Sequence, residues 1–221
     1  MKFDSLFDVI GHIMVGPSSS HTAGACKIGL ITRKIFGTKP EEAIVYLHGS
    51  FAETYKGHGT DKAIIAGILG ISPDDENLKQ SFHIAQEKDL NVKFIIKDLG
   101  SDYHPNSTLI ELRNKDEVIK VLGSSIGGGN IIIEEINGLK AGFNADLSTL
   151  ICMNKDQIGV VADITRVVAE FGLNIANMSV SRDIKTKSAL CWLETNQDIP
   201  EGITEQLAAN PKIKEVRILN V

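Results

Sequence analysis

The stretch NKDQIGVVADITRVVAEFGLNIANMSVSR, residues 154–182, predicts a loop, an amphipathic helix and a strand in succession. Apolar residues recur at helical spacing through residues 160–171, while Arg166 and Glu170 occupy the opposite side of that helix. Gly172 follows directly, as expected of a residue that ends a helix. A helix bounded in this way, with a strand after it, indicates a mixed α/β unit.

The segments on both sides complete an ordered set of strands and helices. TLICM (149–153) is a strand candidate before the helix, and SALCWLETN (188–196) is another after a polar turn. EGITEQLAAN (201–210) predicts a short helix, and VRILNV (216–221) a last strand. The order β-α-β-β-α-β over about 70 residues is that of the ferredoxin-like fold, with helices on one face of an antiparallel sheet.

This order and residues 154–182 together resemble the ACT domain, a small amino-acid-sensing module, over residues 149–221. Gly159 stands at the loop-to-helix junction. The missing side chain could let a ligand carboxylate approach the backbone N–H groups of the helix start, or it could merely let the chain turn into the helix. Asn174 and Asn177 could contact an effector or simply be polar residues at a strand edge. Since ACT modules also serve in dimerisation, the resemblance implies an effector site, a homodimer contact, or both.

Charge and composition argue against several classes of protein. The net charge of −5 argues against binding to the phosphate backbone of a nucleic acid. No apolar run reaches the roughly 20 residues of a membrane span, and the N-terminal segment lacks the basic start of a signal peptide, so we expect a cytoplasmic protein. Cys26, Cys152 and Cys191 are far apart, which indicates reduced thiols and no clustered metal-ligand spacing.

Residues 1–145 predict a second domain of mixed α/β type, joined to the first by a linker at residues 143–148. The predicted helices lie at residues 5–14, 23–36, 60–70 and 73–88. The predicted strands lie at residues 42–50, 91–98, 107–114, 117–125 and 130–138, the first running into a loop. The sequence IGGG, residues 126–129, predicts a sharp break between the last two strands.

A first polar cluster, GPSSSHTAGA at residues 16–25, precedes the second of these helices. Ser20 or Thr22 could cap that helix, but one cap needs only one hydroxyl. The surplus hydroxyls and the N–H groups of the helix start could bind a carboxylate. His21 could move a proton, because an imidazole titrates near neutral pH. The cluster therefore favours a reaction site over a linker.

A second cluster is YKGHGTDKA, residues 55–63. His58 stands between two glycines, which allow close approach of the backbone. Thr60 and Asp61 begin an apolar helix and could cap it, leaving His58 as an ordinary turn residue. From these residues alone, a cap and a functional site both remain open.

A third cluster is DYHPNST, residues 102–108. Pro105 makes the preceding His104 extended, and Asn106 brings an amide that can donate and accept hydrogen bonds. Alone, it is compatible with a loop before a strand. The other histidines are His48, ambiguous at a strand end, and His12 and His83, which we expect to be structural or exposed.

GPSSSHTAG, GHGTD and HPN, in this order ahead of the ACT-like segment, resemble the beta subunit of the iron–sulfur-dependent bacterial L-serine dehydratases. The resemblance covers essentially the whole chain. It implies that L-serine is converted to pyruvate and ammonia together with an alpha subunit. That subunit, and not this chain, would hold a [4Fe–4S] cluster, so we expect the isolated chain to be inactive.

The resemblance also implies roles for single residues. His21 would be the base or a proton relay, assisted by His104 and Asn106. The substrate carboxylate would be held, or its pocket shaped, by Ser18, Ser19, Ser20 and Thr22. His58, Thr60 and Asp61 match the second motif, and Asp61 could orient an imidazole.

Other classes of function are weaker interpretations of the sequence. The main rival is a regulatory serine sensor, because the N-terminal region is also similar to a serine-binding domain of some phosphoglycerate dehydrogenases. A serine hydrolase is disfavoured because no G-x-S-x-G elbow is present. Nucleotide binding is disfavoured because the GGGN stretch lacks a phosphate-loop lysine and the required glycine spacing.

Overall fold

The computed structural model describes residues 14–220, and the contacts of the chain divide it between Glu134 and Glu135. This division falls within a strand. The predicted domains, residues 1–145 and 149–221, stay a prediction. The predicted helix at residues 5–14 lies, apart from its last residue, outside the described residues, and so does His12. Within residues 14–220, no helix is long and apolar enough to cross a membrane.

The first unit combines four helices with a sheet. The helices are α1 (Ala25–Phe36), α2 (Gly49–His58), α3 (Thr60–Ile68) and α4 (Ser81–Glu87). The strands are β1 (Glu42–Leu47), β2 (Asn91–Ile96), β3 (Ser107–Arg113), β4 (Val118–Gly127) and β5 (Asn130–Ile136). Their order in the sheet is β2-β1-β3-β4-β5, with β1 parallel to β2 and antiparallel to β3. The mixed α/β class predicted for this region is confirmed.

Helices α1 and α3 touch through their backbones, which fixes where their first residues lie. A Cβ atom at Gly67 of α3 would stand 2.1 Å from the carbonyl oxygen of Cys26 on α1. A Cβ at Gly29 of α1 would likewise stand 2.5 Å from the carbonyl oxygen of Ile64. Only glycine permits this approach. It brings the segments that enter the two helices, and with them His21 and His58, to the same end of the unit.

The structure corrects the predicted elements at several places. The predicted loop after β1 is helix α2, which the apolar pattern missed because Phe51 is its only fully buried side chain. The predicted helix at 73–88 is a 3₁₀ turn, Glu76–Gln80, followed by α4. Strand β4 continues to Gly127, so the break at IGGG is a tight turn at Gly128 and Gly129.

The second unit contains the predicted ferredoxin-like fold. Its elements are β6 (Leu139–Phe143), β7 (Ser148–Lys155), α5 (Val160–Glu170), β8 (Asn177–Asp183), β9 (Ser188–Thr195), α6 (Gly202–Ala208) and β10 (Ile213–Leu219). The sheet order is β10-β7-β9-β8, and the paired strands are antiparallel. Val160, Ile164, Val167 and Val168 of α5 are buried in its core, as their spacing predicts. The sequence analysis missed β6, whose Ala141 accepts a hydrogen bond from Trp192.

Candidate active site

The first polar cluster forms a π-helical turn, Ser19–Gly24, that leads directly into α1. Ser18 caps this turn, because its Oγ accepts a hydrogen bond of 3.1 Å from the backbone N–H of His21. The structure thus places the cap at Ser18, a serine close to the two candidates Ser20 and Thr22. Thr22 is buried and donates its hydroxyl to the carbonyl oxygen of His58 at 3.0 Å, while Ser19 is partly buried at the start of the turn. Single π-type turns of this kind are frequent at functional sites.

The imidazole of His21 is held on both of its nitrogens. Nδ1 lies 3.1 Å from Ser20 Oγ, and Nε2 lies 2.9 Å from Ser50 Oγ in the first turn of α2. One nitrogen donates and the other accepts, since the neutral ring carries a single N–H. The edge of the ring also meets Phe51, at 5.3 Å between centroids. His21 therefore has a fixed orientation, which a proton-transferring group requires.

His21 and His58 form a close histidine pair. Their ring centroids are 4.7 Å apart, with 37° between the ring planes. Burial lowers the pKa of His21, and the neighbouring charge of a protonated His58 lowers it further. The imidazole of His21 consequently favours its neutral form near pH 7, the form that can accept a proton.

The second motif supplies buried groups that lack partners. His58 is the last residue of α2, and its Nδ1 is buried with no hydrogen-bond partner among the described residues. Thr60, which begins α3, is fully buried, and its Oγ1 is equally unpaired within that range. Asp61 differs, because its carboxylate accepts from the N–H of Lys62 at 2.8 Å and pairs with Lys56 at 3.3 Å. Asp61 is thus paired with lysines in this structure, and its role in orienting an imidazole stays a prediction.

The third motif lies against the first turn of α2. The carbonyl oxygen of Pro105 accepts a hydrogen bond of 3.4 Å from the N–H of Phe51. His104 is exposed, and its Nδ1 accepts from the N–H of Asn106 at 3.1 Å. None of the hydrogen bonds found between residues 14 and 220 joins His104 or the Asn106 amide to His21. The loop thus contacts the same turn of α2 that holds His21, without a hydrogen bond of its own to that histidine.

Ser125, near the end of β4, belongs to the site although the sequence analysis did not select it. Its N–H donates to the carbonyl oxygen of Asn106 at 2.9 Å. Its Oγ is buried without a partner among the described residues, and a Cβ at Gly24 of the π-helical turn would stand 2.1 Å from it. The adjacent Ser124 differs, because its hydroxyl pairs with Ser107 at 2.7 Å.

Three buried polar atoms without partners therefore surround one end of the first unit: His58 Nδ1, Thr60 Oγ1 and Ser125 Oγ. Buried polar groups are normally hydrogen-bonded, so unpaired ones call for a ligand or an ordered water. A cavity of about 270 Å³ opens beside His58 and Thr22, and its lining includes Lys56, Lys62 and Lys79. Lys56 and Lys79 already pair with Asp61 and Glu76, so Lys62 is the lysine of this lining that is left, among the described residues, for the carboxylate of a small ligand.

Comparison with known proteins identifies the two parts of the chain. The family model for the serine dehydratase beta chain matches residues 5–136, and the model for the ACT domain matches residues 148–212. The chain belongs to the serine dehydratase beta chain family. The ferredoxin-like unit is accordingly its ACT domain.

Individual relatives agree with this membership. The chain is 41% identical to a probable L-serine dehydratase beta chain of Bacillus subtilis (strain 168), over 98% of both chains. It is 38% identical to an L-serine dehydratase beta chain of Peptoniphilus asaccharolyticus, again over 98% of both. An L-serine dehydratase of Escherichia coli (strain K12) is 27% identical over 94% of this chain but only 51% of its own length. These matches support a subunit of a lyase rather than a purely regulatory sensor.

The thiols of this family member are not suited to holding an iron–sulfur cluster. Burial raises the pKa of Cys26 to about 12 and that of Cys191 to about 11, and it raises the pKa of Cys152 as well. Cluster ligands must be thiolates, which these environments disfavour. Cys152 and Cys191 face each other across β7 and β9, whereas Cys26 belongs to the other unit. Among residues 14–220, no group of three or more potential ligands is gathered for a metal.

The three predicted effector residues of the ACT domain have different surroundings. Gly159, with φ of 89°, directly precedes α5, and Lys212 Nζ donates to the adjacent carbonyl oxygen of Ile158 at 3.4 Å. Asn177 donates its amide to the buried Glu194 at 2.8 Å, a contact between neighbouring strands. Asn174 is bound through its backbone N–H to Gln197. An effector role for these three residues stays a prediction.

Proposed function

We propose that this chain is the beta subunit of a two-chain L-serine dehydratase, which deaminates L-serine to pyruvate and ammonia with an alpha subunit. The observation that carries the proposal is the histidine pair of His21 and His58, with the buried hydroxyls of Thr60 and Ser125, unpaired among the described residues, at the same end of the unit, in a chain of this family. The [4Fe–4S] cluster would belong to the alpha subunit, because the thiols of this chain are unsuited to it. A cytoplasmic location and an ACT-mediated homodimer are parts of the same proposal.

The reaction has two chemically difficult parts. The α-proton of serine is only weakly acidic, and hydroxide is a poor leaving group. The cluster would supply a Lewis acid for the serine hydroxyl. Once the α-proton and the hydroxide have left, together as one water, the resulting enamine becomes an imine, which takes up water and hydrolyses to pyruvate and ammonia. The beta chain must therefore bind the amino acid and handle the α-proton.

His21 has the properties required of the base that removes the α-proton. Its lowered pKa leaves the ring neutral near pH 7, and positioned bases contribute roughly 10²–10⁴-fold to a rate. Ser20 and Ser50 hold the ring through its two nitrogens. One of those contacts must yield when the ring turns to the substrate, so Ser20 and Ser50 act as positioning residues. His58 lies close enough to the His21 ring for its charge to lower the pKa of His21.

The substrate carboxylate has several possible donors at the same end of the unit. The hydroxyls of Thr60 and Ser125 are buried and unpaired among the described residues, and Lys62, which forms no salt bridge within that range, lines the adjacent cavity. Ser18, Ser19, Ser20 and Thr22 shape the turn that faces them, and His104 and Asn106 assist from the neighbouring loop. A carboxylate satisfies such donors by accepting charge-assisted hydrogen bonds.

The proposal is tested by anaerobic co-expression of this chain with an alpha subunit from the same family, followed by an assay of pyruvate formation from L-serine. We expect activity in the reconstituted complex and none in either isolated chain. Pyruvate formation by the isolated beta chain would contradict the division of roles. Saturable binding of serine without any activity in the complex would instead favour the sensor function.

A further inference from the structure

A second cleft, which we call the basic cleft, lies at the opposite end of helices α1 and α3 from the histidine pair. Its volume is about 400 Å³, and it is formed by Arg33, Lys39, Pro40, Ile68, Leu69, Lys88 and Leu90. Arg33 lies in the last turn of α1, and Ile68 ends α3. His21 and His58 precede the same two helices, so a helix of 12 residues, roughly 18 Å long, separates the two places.

The lining of the basic cleft is positively charged in a chain whose net charge is negative. Arg33, Lys39 and Lys88 contribute three cations, and the lining contains no carboxylate. Within residues 14–220, none of the three forms a salt bridge. Arg33 is partly buried, and burial lowers its pKa, as expected of a guanidinium without a counter-ion. An anion in the cleft would supply the missing counter-charge.

The ends of the helices explain this charge only in part. A cation in the last turn stabilises the free carbonyl groups of a helix, which accounts for Arg33. Lys88, which ends α4, has the same explanation, whereas Lys39 lies in the loop between α1 and β1 and belongs to no helix end. Three separate segments of the chain thus direct cations to one concavity.

The floor of the basic cleft is apolar. Pro40, Ile68 and Leu90 are buried there, and Leu69 is partly buried. Cavities of about 300–1,000 Å³ with an apolar lining and a few polar groups are typical of small-molecule sites. The cleft therefore suits a ligand that has both a concentrated negative charge and an apolar body.

We propose that the basic cleft binds a phosphate monoester with an apolar body, at a site separate from the dehydratase chemistry. A phosphate monoester carries a charge of about −1.5 to −2 at pH 7, which three cations can share. The guanidinium of Arg33 can donate two parallel hydrogen bonds to phosphate oxygens. The apolar body would rest on Ile68 and Leu90.

Calorimetric titration of the full chain with phenyl phosphate tests the proposal. Inorganic phosphate and phenol serve as probes of the charge alone and of the apolar body alone. We expect saturable binding of phenyl phosphate that is tighter than that of either probe. Arg33→Gln should weaken binding roughly 10-fold or more, and Lys88→Gln, on the exposed rim, should weaken it without disturbing the fold.

Lys185→Gln is the matched control, because it removes the same charge from an exposed turn between β8 and β9. We expect it to bind phenyl phosphate as the unmodified chain does. An equal loss of affinity in the control, equal affinity for inorganic phosphate, or no saturable binding of phenyl phosphate would each overturn the proposal. Since binding is measured directly, the result is independent of whether the chain takes part in serine deamination.

Discussion

The chemistry proposed for single residues depends on how His21 is held and on what surrounds it. Ser20 and Ser50 fix the two ring nitrogens, and the His58 ring lies beside that of His21, tilted by 37°, at 4.7 Å between centroids. Burial and the neighbouring histidine both lower the pKa of His21. His58 therefore has a measurable consequence for the pH at which the base works, separate from any direct contact with substrate.

His58→Asn is expected to move the acid limb of the pH profile of kcat/KM to higher pH in the reconstituted complex. Protonated His58 lowers the pKa of His21, so its removal raises that pKa, and the base becomes protonated at a higher pH than before. The control is His83→Asn, which removes an exposed histidine on α4 that pairs only with Glu87 within the described residues. An unchanged acid limb in His58→Asn would contradict the proposed coupling.

Ser125→Ala separates substrate binding from stability. Its hydroxyl has no partner in the described structure, so its removal breaks no hydrogen bond in the free chain and leaves the melting temperature unchanged or slightly raised. We expect KM for L-serine to rise roughly 10-fold, since a hydrogen bond to a charged group is lost. Ser124→Ala is the comparison, because it breaks the 2.7 Å contact with Ser107 and should lower the melting temperature. A destabilised Ser125→Ala variant with normal KM would assign Ser125 a structural role.

At the level of secondary-structure elements, the crossing of α1 and α3 determines the site. Gly29 and Gly67 let the two backbones touch, and the residues that enter both helices consequently converge. Helix α2 then supplies Ser50 and Phe51 on one flank and His58 at its end. The three motifs, which are scattered over residues 16–108, are joined by this packing rather than by proximity in sequence.

Gly67→Ala is expected to destabilise the chain by about 3 kcal/mol, because the new methyl group meets the Cys26 carbonyl oxygen at 2.1 Å and forces the helices apart. Denaturant unfolding of the full chain measures this loss. Gly57→Ala provides the control, since a Cβ there has no neighbour within 4 Å and alanine favours the helix. Equal stability of the two variants would show that the helix crossing is not constrained as described.

The elements that the sequence predicted best are those with a regular apolar pattern. Helix α5 buries Val160, Ile164, Val167 and Val168, and its period is visible in the sequence alone. Helix α2 was missed because only Phe51 is fully buried, which leaves no period to detect. The contacts of Ser50 with His21 and of Ser125 with Gly24 join residues far apart in the chain, and no local pattern encodes them. The three motifs indicated the candidate site in the sequence, but the residues that support it became visible only in the fold.

At the level of the whole molecule, the chain combines a unit that carries reactive side chains with an ACT domain. The first carries the proposed base and the proposed carboxylate donors, whereas its thiol, like those of the ACT domain, is buried and has a raised pKa. The electrophile that activates the serine hydroxyl would therefore come from the alpha subunit. Under the proposed division of roles, this chain would bind the amino acid and the alpha subunit would be needed for turnover.

The rate of pyruvate formation by the complex containing His21→Asn is the most direct test of the central claim. We expect kcat to fall roughly 10²–10⁴-fold, the contribution of a positioned base, while His83→Asn retains the rate of the unmodified complex. Both variants should assemble with the alpha subunit equally well. Full activity of the His21→Asn complex would contradict the assignment of His21 as the base.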